Sequence, residues 1–480
     1  MISKFILDNG IRVVCEKIPY LRSISIGIWV GTGSRNETKS NNGISHFIEH
    51  MLFKGTESRT AKDIAVTIDS IGGQINAFTG KEYTCYYAKT LDTHIDVAVD
   101  VLTDMFFNSV FKDKDINVER QVISEEINMY EDTPEDLVHD VLAEIMWNGD
   151  PLGYPILGTY ESLQKIDRST IKDYLSNNYF PSNTVIAIAG NYDEKKMLDI
   201  LTKYFGNWKN DLHKPSNYKS VNYNSGVSSK NKDTEQIHLC VGFDAIEYGS
   251  DDIYPLLLVN NILGGGMSSR LFQKIREEKG LVYSIYSYPS TFMNTGAFTV
   301  YAGMNPEQFE QVSKLIMLEI KELACTGISQ IEMEKSKEQL KGSYMLGLES
   351  TNSRMTSIGK SELAQGHIYT PDEILAKMDR VTIDEVDSII KKVFKTEKIS
   401  FAAVGRIKDD LDIASYVKIW FWWKNSFSVN MMKFAPCLQA KFALCTRIQV
   451  IKRYFYKIKM HVFLIFFIFA PFYPVQALMF

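Results

Sequence analysis

Two histidines and a glutamate lie within five residues near the start of the chain, in the order His46-Phe-Ile-Glu49-His50. On a helix, His46 and His50 lie one turn apart on the same face, as two ligands of a tetrahedral zinc ion require. Zinc lowers the pKa of a bound water to about 7, and Glu49 is placed to accept its proton and pass it to a leaving amine. The spacing therefore predicts a hydrolytic zinc site. The alternative is a chance coincidence on an amphipathic helix, in a chain with eight histidines among 480 residues.

A zinc site of this kind needs a third protein ligand, and two glutamates further along the chain qualify. Glu119 and Glu126 are seven residues apart, which on a helix is two turns along one face. We expect Glu126 to bind the metal and Glu119 to stand behind it, polarising the site or one of its ligands. The alternative interpretation is a solvated acidic face in which Arg120 is the partner. The histidine motif favours the metal site.

Strands and helices alternate around these residues. Residues 23–30 alternate apolar and small side chains, as a half-buried strand does. Residues 97–107, 115–129 and 134–147 have the spacing of apolar residues that is typical of amphipathic helices. The pattern predicts an α+β fold, in which a sheet packs on helices in each half of the chain.

The two halves of the chain look like repeats of each other. Residues 166–190 and residues 381–405 both contain a capped amphipathic helix, a short turn, a buried strand and a glycine. The helix cap is Asp167 or Ser169 in the first copy and Thr382 in the second. Two copies in the same relative place indicate a duplication. The alternative is a chance match of a common helix-turn-strand pattern.

A polar stretch rich in Asn, Ser and Lys separates the halves and has the composition of a linker. We predict four regions. They are a zinc-binding peptidase domain at 1–208, a linker at 209–232, a homologous domain without metal at 233–415, and an unusual tail at 416–480.

Composition excludes several classes of protein. The formal net charge of -5 is too small to indicate nucleic acid or an acidic membrane surface as a partner. The six cysteines are scattered without a CxxC pair, which favours a reducing compartment over a disulfide scaffold. The first residues have no apolar segment long enough for a secretory signal, so we expect a cytoplasmic protein.

The tail differs from the rest of the chain. Beyond Asp412 there is no Asp or Glu, and half of the six tryptophans lie there. The apolar run that starts at His461 suggests a membrane segment, although Pro471 and Pro474 interrupt it. The favoured interpretation is an altered reading frame or a lost stop codon. A hydrophobic membrane anchor is the second interpretation.

The motifs together resemble the pitrilysin/insulinase family of zinc peptidases with an inverted HxxEH motif, especially its processing-peptidase members. The resemblance covers about residues 1–415. It is carried by the run from His46 to Thr56, by Glu119 and Glu126, and by the glycine-rich Gly264–Phe272 that leads into Arg276-Glu-Glu-Lys-Gly-Leu-Val-Tyr283.

The resemblance implies two homologous domains, each a mostly antiparallel sheet packed against helices. It also implies one zinc per chain, held by His46, His50 and Glu126, with Glu49 as the base. Asn76 and Ala77 resemble the edge strand that pairs with the substrate backbone.

Arg276 and Tyr283 resemble the pair that binds the substrate and the tetrahedral oxyanion. The alternative is that Arg276 is a helix-surface cation and Tyr283 a strand residue. The stretch that matches the zinc helix in the second half, residues 251–260, has no histidine. Family members of this length work as dimers, so Arg276 and Tyr283 are expected to serve the site of the other subunit.

From the residues and the resemblance together we expect a zinc-dependent endopeptidase, an inverzincin, that acts on unfolded peptides as a homodimer. The alternative is a non-catalytic structural or assembly subunit of the same family, a class that lacks the ligand set. A third possibility is a damaged gene product whose tail spoils folding. Contact with a membrane is expected only if the tail is a genuine segment.

Overall fold

The computed structural model describes residues 2–209, 218–395 and 397–407, all of which belong to one compact unit. The tail predicted at 416–480 lies outside the described residues. Within the described part of the chain, no helix combines the length and the apolar character needed to cross a bilayer. The described residues form two sheets packed against helices, which confirms the α+β prediction.

The first half contains a six-stranded sheet and eight α-helices. Its strands are β1 (Ile2–Ile6), β2 (Arg12–Lys17), β3 (Ser23–Val30), β4 (Gln74–Thr79), β5 (Thr84–Leu91) and β6 (Thr184–Gly190). Its helices are α1 (Ile44–Leu52), α2 (Ala61–Ser70), α3 (Ile95–Asn108), α4 (Asp113–Glu131), α5 (Pro134–Met146), α6 (Tyr160–Leu163), α7 (Arg168–Asn178) and α8 (Glu194–Phe205). The strand and the three helices predicted in this half are therefore present.

The second half contains a five-stranded sheet, six α-helices and one π-helix. Its strands are β7 (Gly226–Asn231), β8 (Ile237–Asp244), β9 (Val282–Phe292), β10 (Thr295–Met304) and β11 (Ile399–Gly405). Its helices are α9 (Ile253–Leu263), the π-helix Phe272–Glu277, α10 (Phe309–Thr326), α11 (Gln330–Gly347), α12 (Thr351–Gln365), α13 (Pro371–Arg380) and α14 (Ile383–Val393).

The two sheets have the same topology. The first has the order β1-β2-β6-β3-β5-β4 and the second the order β7-β11-β8-β10-β9. In each sheet one neighbouring pair is parallel, β2 with β6 and β7 with β11, and the other pairs are antiparallel. Among the described strands, only β1 has no counterpart. The shared strand order supports the predicted duplication.

The repeated glycines end equivalent central strands. Gly190, the last residue of β6, has φ +140°, and Gly405, the last residue of β11, has φ +142°, a conformation that L side chains rarely adopt. A Cβ on Gly190 would lie 2.4 Å from the carbonyl oxygen of Ser23, on the neighbouring strand. The cap of the preceding helix in the first copy is Asp167, whose carboxylate accepts a hydrogen bond from the Thr170 amide.

One end of the predicted linker belongs to the second sheet. Residues 226–231, within the stretch 209–232, form strand β7 and pair in parallel with β11. The residues of this edge strand alternate between half-buried and exposed, and such a strand can be as polar as a linker because its exposed face needs no apolar side chains. Composition alone therefore placed the end of the linker too late.

The two halves exchange a helix. Helix α5 of the first half packs on β7, β8 and β11, where Leu142 shares a core with Cys240 and Val404. Helix α12 of the second half packs on β2, β3 and β6, where Met355 contacts Trp29. Each sheet therefore has one face buried by a helix from the other half.

Candidate metal centre

Helix α1 begins at a tightly built turn. Gly43, the residue before the helix, has φ +91°, and a Cβ on it would lie 2.6 Å from the carbonyl oxygen of Leu157. The buried carboxylate of Glu37 accepts hydrogen bonds from the amides of Gly43 at 2.7 Å and Ser45 at 2.9 Å. A carboxylate at this end satisfies amides that have no partner within the helix and complements its dipole. Burial raises the pKa of Glu37 to about 7.

The two histidines of α1 and a carboxylate of α4 converge on one point. Ile44, Phe47, Ile48, Met51 and Leu52 are the apolar residues that bury the opposite face of α1 in the core. The Nε2 atoms of His46 and His50 lie 3.2 Å apart. Oε2 of Glu126 lies 3.8 Å from the first and 3.7 Å from the second. Among the described residues, this is the only group of three such side chains arranged to hold a metal ion.

Glu119 lies behind His50 on the same helix as Glu126. Nδ1 of His50 donates a hydrogen bond of 2.8 Å to Glu119 Oε1, since a carboxylate can only accept. In the neutral imidazole this places the lone pair on Nε2, the atom that faces His46 and Glu126. Lys54 makes an ion pair with the other oxygen of Glu119. Burial opposes the charge of Glu119, but the hydrogen bonds from His50 and Lys54 outweigh it and lower its pKa. The partner of this acidic helix face is therefore not Arg120, which donates to the carbonyls of Leu163 and Ile166.

The pKa values of the two histidines are shifted in opposite directions. Burial, reinforced by repulsion from His50, lowers the pKa of His46 to about 3, so His46 is neutral at pH 7. Burial also acts to lower the pKa of His50, but its hydrogen bond to Glu119 and the nearby carboxylates raise it overall. Nδ1 of His46 is buried and has no hydrogen-bond partner among the described residues.

Glu49 is half-buried beside this group and is held by the neighbouring sheet. Oγ1 of Thr79, the last residue of β4, donates a hydrogen bond to Glu49 Oε2. Burial raises the pKa of Glu49, and the hydrogen bond from Thr79 partly offsets that rise.

The donor set fits zinc. In a tetrahedral site with bonds of 2.0–2.1 Å, neighbouring ligand atoms are about 3.3 Å apart. The three observed separations of 3.2, 3.7 and 3.8 Å are close to that value. Glu49, Glu119 and Glu126 place three carboxylates around the site against the one ammonium of Lys54, which leaves an excess of negative charge that a dication would balance.

Asn76 and Ala77 lie on the edge strand of the first sheet, since among the strands that the structure describes β4 pairs only with β5. The amide of Ala77 donates to the side chain of Asn76 at 2.8 Å. An edge strand leaves backbone groups unpaired, which allows another chain to add to it. The structure thus provides the open edge that the resemblance implied, and the pairing with substrate stays a prediction.

Arg276 and Tyr283 lie together in the second half. The Arg276 guanidinium is 5.5 Å from the centre of the Tyr283 ring and 4.6 Å from that of Phe272. Tyr283 is 75% exposed at the start of β9. Within the described parts of the chain, no hydrogen bond or ion pair joins either residue to the residues around His46. Their part in catalysis stays a prediction.

Three residues at the centre were not predicted from the sequence. Thr79 is recognisable only once β4 is known to pass α1. Glu37 lies six residues before Gly43, outside the position directly before the helix where a cap is usually expected. The sequence does contain an indication of Lys54, because this residue lies four residues after His50 and therefore on the same side of the chain.

Comparisons with known proteins match both halves of the chain to one peptidase family. Residues 12–160 match the model of the insulinase family, peptidase family M16, and residues 165–340 match the family's inactive domain. An uncharacterised zinc protease of Bacillus subtilis is 46% identical over 405 residues, which are 84% of this chain and 98% of that protein. One from Streptomyces coelicolor is 40% identical over 410 residues, 84% of this chain and 89% of that protein.

Solved structures share the fold. A protease from Helicobacter pylori superposes with a TM-score of 0.78 at 22% identity, covering 84% of this chain and 99% of its own. A peptidase M16 inactive domain from Pseudomonas fluorescens gives a TM-score of 0.79 at 18% identity, covering 85% of this chain and 98% of its own. The names of the relatives indicate zinc proteases. The match to the inactive domain begins at residue 165, near the end of the first half, and continues to residue 340 in the half without histidine ligands.

Proposed function

The chain belongs to the insulinase family of peptidases, peptidase family M16, and on that premise we propose that it is a zinc-dependent endopeptidase acting on unfolded peptides or protein segments. The observation that supports this most directly is the convergence of His46, His50 and Glu126 beside the half-buried carboxylate of Glu49. The single such group among the described residues supports the proposal of one zinc per chain.

His46, His50 and Glu126 would hold the metal through Nε2, Nε2 and Oε2. Zinc supplies a Lewis acid that polarises a peptide carbonyl and acidifies water. Glu119 fixes the orientation and tautomer of His50 through Nδ1, and its charge increases the basicity of Nε2.

Glu49 is the general base and then the general acid. It accepts the proton of the attacking water and delivers it to the nitrogen of the leaving amine. A carboxylate whose pKa is raised by burial is better matched to proton transfer near neutral pH than an exposed one.

Substrate is bound by strand addition at β4, next to Asn76 and Ala77. Because backbone pairing requires an extended and unpaired segment, it favours unfolded peptides over folded proteins. It depends on few side chains of the substrate. Arg276 and Tyr283 contact the substrate and the oxyanion, and in a homodimer they would serve the site of the other subunit.

The test is a set of variants assayed for zinc content and for cleavage of an internally quenched peptide library. Glu49→Gln should keep about one zinc per chain and lose about 100- to 10,000-fold in kcat. His50→Ala should lose both zinc and cleavage, whereas His94→Ala, a histidine outside the site, should lose neither.

Cleavage that persists in Glu49→Gln would exclude Glu49 as the base. A wild-type protein that binds zinc but cleaves no peptide would favour the alternative of a structural or assembly subunit. Sedimentation of the wild-type protein tests the homodimer.

A further inference from the structure

We infer that Thr79 is a positioning residue for the general base, and that its hydroxyl holds the Glu49 carboxylate in the orientation needed for proton transfer. The inference rests on the proposed function, since it assigns a role relative to Glu49. It adds a residue of the substrate-pairing strand to the catalytic machinery.

The strand places the Thr79 side chain towards α1. Successive side chains of a strand point to opposite faces of the sheet, so Ile75, Ala77 and Thr79 share one face. Ile75 and Ala77 pack against the core that contains the apolar residues of α1. Phe78 points the other way and contacts Trp29 on the opposite side of the sheet.

The hydroxyl is the one described hydrogen-bond partner of Glu49. It donates to Oε2, and no described residue hydrogen-bonds Oε1. A glutamate side chain has several rotamers, and a carboxylate with one oxygen held by a donor is restricted in its orientation while the other oxygen stays available. The available oxygen is the one that accepts the proton from water.

The base is thereby linked to the strand that receives substrate. Thr79 lies two residues after Ala77 on β4, so a peptide that adds to this strand orders the segment that orients Glu49. The Thr79 side chain itself stands perpendicular to the sheet, outside the plane in which the peptide pairs. Loss of its hydroxyl should therefore lower kcat and leave KM nearly unchanged.

The experiment compares Thr79→Val, which keeps the shape and removes the hydroxyl, with Thr79→Ser, which keeps the hydroxyl. We expect Thr79→Val to lower kcat about tenfold or more, the size of effect expected when a hydrogen bond to a charged group is lost. Thr79→Ser should stay within about threefold of the wild type. Thr79→Ala is a second variant without the hydroxyl and should behave as Thr79→Val does.

Thr84→Val is the matched control. Thr84 lies opposite Thr79 on β5, and its hydroxyl donates to the Thr32 carbonyl at 2.9 Å and not to Glu49. It reports the effect of losing a hydroxyl from the same end of the sheet. Zinc content and thermal unfolding of each variant show that the metal site and the fold are intact.

The inference is overturned if Thr79→Val keeps the wild-type kcat, if Thr79→Ser loses as much as Thr79→Val, or if Thr84→Val has the same effect. A change in KM alone would also overturn it, because that would place Thr79 in substrate pairing only. In all these cases the wild type cleaves peptide, so the proposed function survives. A zinc-loaded wild type without peptidase activity would overturn both.

Discussion

Helices α1 and α9 occupy corresponding places in the two halves. Helix α1 follows β3 and precedes the edge strand β4, and α9 follows β8 and precedes the edge strand β9, where β3 and β8, like β4 and β9, hold matching positions in the two sheets. Helix α1 buries one face and presents His46, Glu49 and His50 on another. Helix α9 contains no histidine and is apolar over most of its length. One fold can therefore hold a metal centre or a plain core helix at the same place, depending on a few side chains.

The helices also differ in how their first turns are held. The carboxylate of Glu37 accepts two amide hydrogen bonds at the start of α1. Asp252, the residue before α9, makes no such side-chain cap. The helix with the proposed catalytic residues is thus the one whose first turn has a side-chain cap, and catalytic side chains need fixed geometry.

The largest effect on folding and on zinc binding is expected from separating the two halves of the chain. Residues 1–209 alone would expose the face of α5 around Leu142 and the face of the first sheet around Trp29, both of which need the second half. We expect this fragment to lack a cooperative thermal transition and to bind no zinc. Coexpression with residues 210–480 should restore both properties. A monomeric fragment that unfolds cooperatively would show that the helix exchange is dispensable.

Truncating each exchanged helix tests whether the exchange is symmetrical. Leu142→Ala in α5 and Met355→Ala in α12 remove side chains that are 1% and 0% exposed. Each should lower the free energy of unfolding by about 2–5 kcal/mol. Leu198→Ala, at a position that is 44% exposed, is the control and should cost much less. Chemical denaturation measures all three, and a loss confined to one variant would show that the halves depend on each other unequally.

The buried cap of α1 should make stability depend on pH. Burial raises the pKa of Glu37 to about 7, whereas in the unfolded chain it titrates near about 4.3. The folded state binds this proton more tightly, so the contribution of Glu37 to the unfolding free energy is greatest below pH 4 and falls as the pH rises to 7.

The unfolding free energy of the wild type should therefore exceed that of Glu37→Gln by more at pH 5 than at pH 8. The change between the two pH values should be on the order of 2 kcal/mol. Asp252→Asn, at the start of α9, is the control; its exposed ion pair with Lys392 should matter little at either pH. Equal differences at both pH values would contradict the role of burial.

The smallest effect is expected from the carboxylate behind His50. Glu119→Gln keeps a hydrogen-bond acceptor for Nδ1 but removes the charge, so zinc affinity should fall about tenfold, or about 1.4 kcal/mol. Glu125→Gln on the exposed side of the same helix should leave the affinity unchanged. Competition with a zinc-binding dye measures both, and equal affinities in the two variants would exclude an electrostatic role for Glu119.

Local periodicity predicted much of the first half, because its helices and strands have regular patterns of apolar residues. Strand β7 was mistaken for linker because an edge strand needs few apolar residues. The helix exchange left no trace in the sequence, since the apolar face of α5 would look the same whichever sheet it covered.

The sequence by itself determined the ligand types, the spacing of His46 and His50 on one helix turn, and the duplication of the halves. These are local properties, which follow from helix and strand periods. Only the tertiary structure brought Glu126 to within 4 Å of both histidines and placed Thr79 against Glu49. Such contacts join segments 30 to 80 residues apart, and their geometry depends on how the sheet, α1 and α4 pack, which no local pattern encodes.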